Sequence, residues 1–240
     1  MTDLQDLEER SASDILSWAL NSFGSDFAIA SSFQREDMIV TDLASRIAPR
    51  FRVFTLDTGR LPEETYQMVE EVRQRYGVSV EMVFPDGNEV ERMVAEFGPN
   101  LFYSSPEARH LCCDARKTRP LARKLRELRA WATGLRREQS ATRAHVLKVE
   151  ESDGITKINP LADWSWAQVE EYTRQHNLPV HPLYARGYAS IGCAPCTRAI
   201  EPGEDERAGR WWWEQGKKEC GIHFAPDGSV RRGALSEKDA

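Results

Sequence analysis

The stretch DFAIASSFQREDMIVTDLASRI, residues 26–47, decides the fold. Its apolar start closes on two small polar residues, Ser31 and Ser32, and the chain then continues with apolar positions at helical spacing. That order predicts strand, loop, helix. FRVFTLDTGRLPEETYQMVEEVRQRYG, residues 51–77, repeats it, with Pro62 near the first helical turn and Glu63 and Glu64 at the positive helix end. VSVEMVF (78–84) predicts a third strand, NEVERMVAEFG (88–98) a helix, and PLARKLRELRA (120–130) a basic helix. RAWATGL (129–135) reads as a strand entering a glycine turn, HVLKVE (145–150) with ITKINP (155–160) as a hairpin, and SWAQVEEYTRQHN (165–177) as a last helix. Strands alternating with helices imply an α/β fold with a parallel sheet and helices on both faces. In such sheets ligands lie beyond the carboxyl ends of the strands, so loops 31–35, 57–60 and 134–137 should meet in one crevice.

Composition narrows the class. The 240 residues fit one domain, 40% are hydrophobic and 29% charged, and no apolar run approaches the roughly 18 residues of a membrane span. A soluble globular protein is expected, without membrane association. MTDLQDLEERSASDILSWAL is acidic and amphipathic and lacks the features of a secretory signal, so a cytoplasmic location is expected. A net charge of −6 argues against nucleic acid as partner. Locally the balance reverses: residues 109–137 hold ten Lys and Arg against Asp114 and Glu127. Such a field concentrates a small anion, although a solvated basic face on the 120–130 helix explains part of it. Beyond residue 184 the alternation stops and Gly, Pro, Cys and Trp dominate. The expected division is therefore an α/β unit over 1–184 and a functional tail or lid over 185–240. These patterns are compatible with a homo-oligomer.

All five cysteines fall in three places: Cys112 with Cys113, Cys193 with Cys196, and Cys220 alone. Four thiols in two pairs suit a metal centre, and both tetrahedral zinc and an iron-sulfur cluster use four Cys. Adjacent Cys112 and Cys113 diverge by about 100° on a regular helix, so both reach one centre only if the backbone is unusual or the centre large. Cys220 lies between Lys217, Lys218 and His223, cations of the kind that lower a thiol pKa and favour the nucleophilic thiolate. Arg207 and Arg210, three apart, would share a helix face fit for oxyanion contacts, or would pair with Glu204 and Glu214. Trp211, Trp212 and Trp213 read as packing residues.

Taken in order, SSFQRED (31–37), LDTGRLPEET (56–65), CCDARK (112–117), GLRREQSATR (134–143), GCAPCTRAI (192–200), ERAGRWWWE (206–214) and ECGIH (219–223) resemble the bacterial thioredoxin-dependent adenylyl-sulfate reductases. The resemblance spans roughly residues 26–223 and implies the adenine nucleotide alpha hydrolase-like fold. It implies a 4Fe-4S cluster on Cys112, Cys113, Cys193 and Cys196, and a nucleophile at Cys220. It places Lys117, Arg207, Arg210 and His223 around the phosphosulfate, and Ser32, Leu56, Thr58, Gly134 and Arg143 in motifs lining the nucleotide site. The implied reaction is attack of Cys220 on adenosine 5'-phosphosulfate, release of AMP, and reduction of the S-sulfocysteine by thioredoxin to free sulfite, a step of assimilatory sulfate reduction toward cysteine.

Three rivals remain. A phosphoadenylyl-sulfate reductase would share the chemistry and take one more phosphate, but that branch of the superfamily lacks the paired cysteines. A non-catalytic zinc or redox-sensing module would use all five cysteines as ligands or switches. An ATP-dependent sulfur-transfer enzyme of RNA modification should carry an S-G-G-x-D-S pyrophosphate loop, and here Ser31, Ser32, Phe33 and Gln34 stand in its place.

Overall fold

The computed structural model describes residues 4–140, 143–152 and 154–215, with only the backbone described at 4–5, 223–224 and 230–231. Six short strands form one sheet in the order β3-β2-β1-β4-β6-β5. β1 (Phe27–Ala30), β2 (Val53–Leu56), β3 (Val80–Val83), β4 (Ala130–Ala132) and β6 (Ile155–Ile158) run parallel. β5 (Val149–Ser152) closes one edge antiparallel to β6, as the hairpin reading expects, with Glu150 opposite Lys157. The chain winds from central β1 out to β3 and resumes on the other side of β1 at β4. That reversal opens the crevice in which a doubly wound sheet binds its ligand.

The helices are α1 (Leu4–Glu8), α2 (Ala12–Phe23), α3 (Arg35–Ile47), α4 (Glu63–Tyr76), α5 (Gly87–Phe97), α6 (Pro106–Cys113), α7 (Arg119–Leu125) and α8 (Trp166–Gln175). Side chains alternate across a strand, so Phe27 and Ile29 point to one side and Ala28 to the other. The first side meets apolar residues of α1, α2, α3, α4 and α8 in the main core, including Leu7, Leu16, Ile39, Met68 and Val169. On the opposite side Phe54, Val83 and Trp131 pack against Leu121 and Leu125 of α7 and Leu128 beyond it. Both faces are covered, as expected, but unequally. No described helix is long and apolar enough to cross a membrane.

One expectation needs correction. The basic helix of residues 120–130 is shorter than its pattern, because α7 ends at Leu125. Tight turns from Glu127 N–H to Lys124 O and Leu128 N–H to Leu125 O drop Leu128 beside Leu121 and Leu125 and free the chain to enter β4. The basic run is a solvated face only in part: Arg123, Arg126 and Arg129 are exposed, as that reading expects, while other cations of the run are paired. Arg109 pairs with Glu214, Arg119 with Glu89 and Asp114, Lys124 with Glu81 and Glu127, Arg136 with Glu36, and Arg137 with Glu8. Local charge density is legible in sequence; Asp114 and Glu127 are partners from within the run, and Glu8, Glu36, Glu81, Glu89 and Glu214 come from distant segments.

Candidate active site

β1 delivers residues 31–34 to the crevice, where Phe33 has left-handed backbone (φ 59°) and a fully buried ring. A bulky residue rarely holds that conformation. Core packing of the ring and a hydrogen bond from Phe33 N–H to Ser31 Oγ (3.1 Å) fix it here, so a loop without glycine still makes a tight turn. Asp37, in the first turn of α3, then accepts from Ser32 N–H (2.7 Å), Ser32 Oγ (2.7 Å) and Gly134 N–H (3.0 Å). One carboxylate thus latches the loop after β1 to the loop after β4. Burial pushes the Asp37 carboxyl up to about 6, with the Ser32 and Gly134 donors opposing and neighbouring Glu36 adding. Gly134 is required by proximity: a Cβ there would stand 2.6 Å from Glu36 Cβ and 2.7 Å from Asp37 Oδ1. Beneath the latch, Glu36 accepts from Arg136 Nε (3.0 Å) and Gln139 Nε2 (3.1 Å).

Above these loops lies a cavity of about 500 Å³ bounded by the carboxyl ends of β1, β2, β4 and β6. Its size suits a nucleotide. Ser32, Leu56, Gly134 and Arg143 line it, and Lys117 also reaches it. Thr58 does not. Its hydroxyl instead meets Cys193 Sγ at 3.2 Å and accepts from Arg60 N–H, while its carbonyl accepts from Arg116 Nη1 (2.6 Å). The 57–60 loop therefore separates the cavity from the cysteines and faces Thr58 toward the latter.

A second cavity of about 280 Å³ adjoins the first, sharing Ser32, Gln34, Glu36, Lys117, Gln139 and Arg143, and adds Arg207, Arg210 and Glu206. Four cations thus converge where two cavities meet. Arg207 and Arg210 are not on a helix as the spacing suggested: residues 201–213 form successive turns, with Arg210 N–H bonded to Arg207 O. Their proposed acidic partners are engaged elsewhere, Glu204 with Arg198 and Glu214 with Arg109. Arg210 is buried, donates to Ile191 O (3.1 Å) and lies 4.8 Å from the Trp211 ring centre. Gly192 leaves it room, since a Cβ at that position would meet its guanidinium at 2.4 Å.

The paired cysteines come together from two directions. Cys112 and Cys196 are buried in one apolar cluster with Trp211, and Cys193 packs against it. Cys113 faces Arg109. After Cys113 the chain leaves the α-helix for a π-helical turn, Asp114–Thr118, before α7 begins. Such wide turns are rare and cluster at functional sites, and this is the irregular backbone that adjacent ligands call for. It also aims Lys117 at both cavities. Burial pushes the Cys196 thiol up to about 12 and raises Cys112 as well.

The donor set fits a sulfur-rich centre. Among the described residues, the buried side-chain donors without an acceptor are Arg109 Nη1, Arg210 Nε, Trp211 Nε1 and Trp213 Nε1. All four belong to residues packed around these cysteines or acting on them. Buried N–H groups rarely go unpaired, and thiolate or sulfide sulfur would accept from them.

Cys220 and the His223 side chain lie outside the described residues; the His223 backbone pairs with Arg231, β7 (His223–Phe224) against β8 (Val230–Arg231). Sequence reading missed Asp37, Gln139 and the Arg109–Glu214 pair. Asp37 had a visible signal, an acid in the first turn of a helix directly after a strand loop. The other two depend on tertiary contacts that no local pattern encodes.

Comparison with known proteins agrees with this geometry. The model of the "Phosphoadenosine phosphosulfate reductase domain" family matches residues 26–199. The chain is 53% identical over 198 residues to an adenosine 5'-phosphosulfate reductase of Burkholderia cepacia, covering 81% of this chain and 79% of that one. It is 47% identical over 231 residues to the adenosine 5'-phosphosulfate reductase of Allochromatium vinosum, covering 94% and 90%. Among solved structures, a phosphoadenylyl-sulfate reductase of Candida auris in complex with phosphate superposes with a TM-score of 0.68 at 28% identity, over 82% of this chain and 94% of that one.

Proposed function

The chain belongs to the phosphoadenosine phosphosulfate reductase family, and from that premise we propose that it reduces adenosine 5'-phosphosulfate to sulfite and AMP. The observation that carries this reading is the pair of adjoining cavities: one of nucleotide size, the other cationic, with Lys117 and Arg143 lining both. The nucleoside occupies the larger, and the phosphosulfate extends toward Lys117, Arg207 and Arg210. Attack of a thiolate on a sulfuryl group brings two anions together, so cations must neutralise both before they approach.

Cys220 supplies the thiolate, with Lys217, Lys218 and His223 beside it in sequence to favour the charged form. Its sulfur bonds to the sulfuryl sulfur, the S–O bond to the phosphate breaks, and AMP leaves with the electron pair. The protein then holds an S-sulfocysteine. With Cys112, Cys113, Cys193 and Cys196 assigned to a cluster, no second thiol of the chain remains to reduce it. An external dithiol, thioredoxin, attacks the Cys220 sulfur, expels sulfite and forms a mixed disulfide; its second thiol resolves that bond and restores Cys220. Two electrons pass from the dithiol to sulfur.

Those four cysteines are the ligands proposed for a 4Fe-4S cluster, supported by the burial of Cys112 and Cys196 with Cys193 packed against them, the π-helical turn after Cys113 and the four unpaired N–H donors around them. When bound, the cluster supplies a fixed charge beside Lys117 and shapes the field at the sulfuryl group. The test of the function is turnover: sulfite and AMP should form from adenosine 5'-phosphosulfate in the presence of reduced thioredoxin. Failure of the iron-loaded protein to form either product overturns the reading.

A further inference from the structure

The lining of the larger cavity falls into three chemical groups. Ala30, Phe54, Leu56, Leu61 and Leu121, from β1, β2, α7 and the loop before α4, make an apolar wall on the β2 side. Ser32 and Lys117 lead into the cationic cavity. Glu150 of β5, Lys157 of β6 and Arg143 from the turn before β5 line the remainder, next to Trp131 of β4, which packs with Phe54 and Leu121. An adenine base matches the apolar wall and the phosphosulfate the cationic one. The ribose must then face the third group, with its hydroxyls toward Glu150 and Lys157.

We propose that Glu150, held opposite Lys157 on the edge hairpin, is the residue that selects a free ribose 3'-hydroxyl over a 3'-phosphate. This inference rests on the nucleotide reading of the cavity given above. Glu150 and Lys157 face each other in register across the β5–β6 ladder. Glu150 Oε1 accepts from Asn159 Nδ2 (3.2 Å), which fixes one oxygen and leaves the other able to accept from a hydroxyl. A carboxylate there binds a hydroxyl donor and repels a phosphate, as acidic residues do at ribose hydroxyls in dinucleotide sites. Lys157 lies 5.9 Å from the Trp131 ring centre. Burial depresses its ammonium below the ordinary value, Glu150 opposes this and Arg143 adds to it. With Glu150 neutralised, two cations, Arg143 and Lys157, would dominate this part of the lining, a surface suited to the very phosphate that Glu150 rejects.

The test uses binding as well as turnover. Affinities for AMP and for adenosine 3',5'-bisphosphate are measured by calorimetry on the full-length iron-loaded protein, as wild type, Glu150→Gln, Lys157→Met and the double variant. Wild type should prefer AMP. Glu150→Gln should shift the ratio toward the bisphosphate by on the order of tenfold to a hundredfold, the usual reach of one close charge. Adding Lys157→Met should abolish most of that gain. The ratio of kcat/KM for the two sulfonucleotides should move in parallel. An unchanged ratio in Glu150→Gln, or equal weakening of both ligands, overturns the inference, since a residue that only shapes the hairpin moves both alike. Absence of sulfonucleotide turnover in wild type overturns the proposed function instead, while the AMP to bisphosphate ratio still decides the role of Glu150. Absence of AMP binding overturns both.

Discussion

Replacing Gly134 by alanine tests the latch on which the nucleotide site is built. The new Cβ would sit 2.6 Å from Glu36 Cβ, 2.7 Å from Asp37 Oδ1 and 2.8 Å from Asp37 N, contacts no real Cβ tolerates. Two of those atoms are backbone or Cβ and cannot swing aside, so the start of α3 and the loop after β4 must part. Overpacking of this kind costs about 1–3 kcal/mol. Parting also breaks the 3.0 Å bond from Gly134 N–H to the Asp37 carboxylate, and a hydrogen bond to a charged group contributes about 1.5–3 kcal/mol. Because one strain relieves the other, the two do not sum fully, and a loss of about 3 kcal/mol is expected. It should show as a lower urea midpoint with an unchanged slope, and AMP binding at least tenfold weaker, measured below the unfolding transition. A midpoint and an AMP affinity both indistinguishable from wild type would refute the claim that this contact positions the loops.

Glu214→Ala should leave Arg109, only 3% exposed, charged and unpaired beneath Trp211, and cost about 3–5 kcal/mol by thermal or urea unfolding. The double change Arg109→Met with Glu214→Leu should recover most of that loss, and failure to recover it would mean the pair does more than satisfy itself. For Asp37, the folded-state pKa of about 6 lies above the unfolded value of about 3.9, so its contribution to stability is full below about pH 4 and lost as pH rises to about 6. Glu36 is the charged neighbour that shares this burial, so wild type is compared with Asp37→Asn: the stability difference between them should change across pH 4–6 and stay flat from 7 to 8. A difference constant over the whole range contradicts the assignment. Cys193→Ser should lose bound iron and the broad visible absorbance of a cluster, and retention of four irons per chain would remove Cys193 from the ligand set.

The sheet was legible because its signals are local. Residues 26–47 and 51–77 each carry an apolar run, a polar loop and a helical period, and those three features return as β1 with α3 and β2 with α4. The convergence of loops 31–35 and 134–137 followed from topology alone. What escaped was whatever two distant segments decide together. The end of α7 at Leu125 is set by Leu128 joining a cluster with Phe54 and Trp131, and nothing within PLARKLRELRA announces it. Thr58 shares a loop motif with Leu56, yet β2 ends at Leu56, the chain turns through Gly59 (φ 68°), and the Thr58 hydroxyl meets Cys193. The basic run is solvated at Arg123, Arg126 and Arg129, as its pattern suggests, while Glu8, Glu36, Glu81 and Glu214, which pair with others of its cations, come from segments that no local pattern links to it.

The most direct measurement is the intact mass of the iron-loaded protein after incubation with adenosine 5'-phosphosulfate and no thioredoxin. The expected result is a gain of one SO3 group per chain, mapped to Cys220, released as sulfite on adding reduced thioredoxin and absent from Cys220→Ser. A protein that forms AMP without acquiring that mass, or a Cys220→Ser variant that still yields sulfite, would contradict thiol attack at this residue.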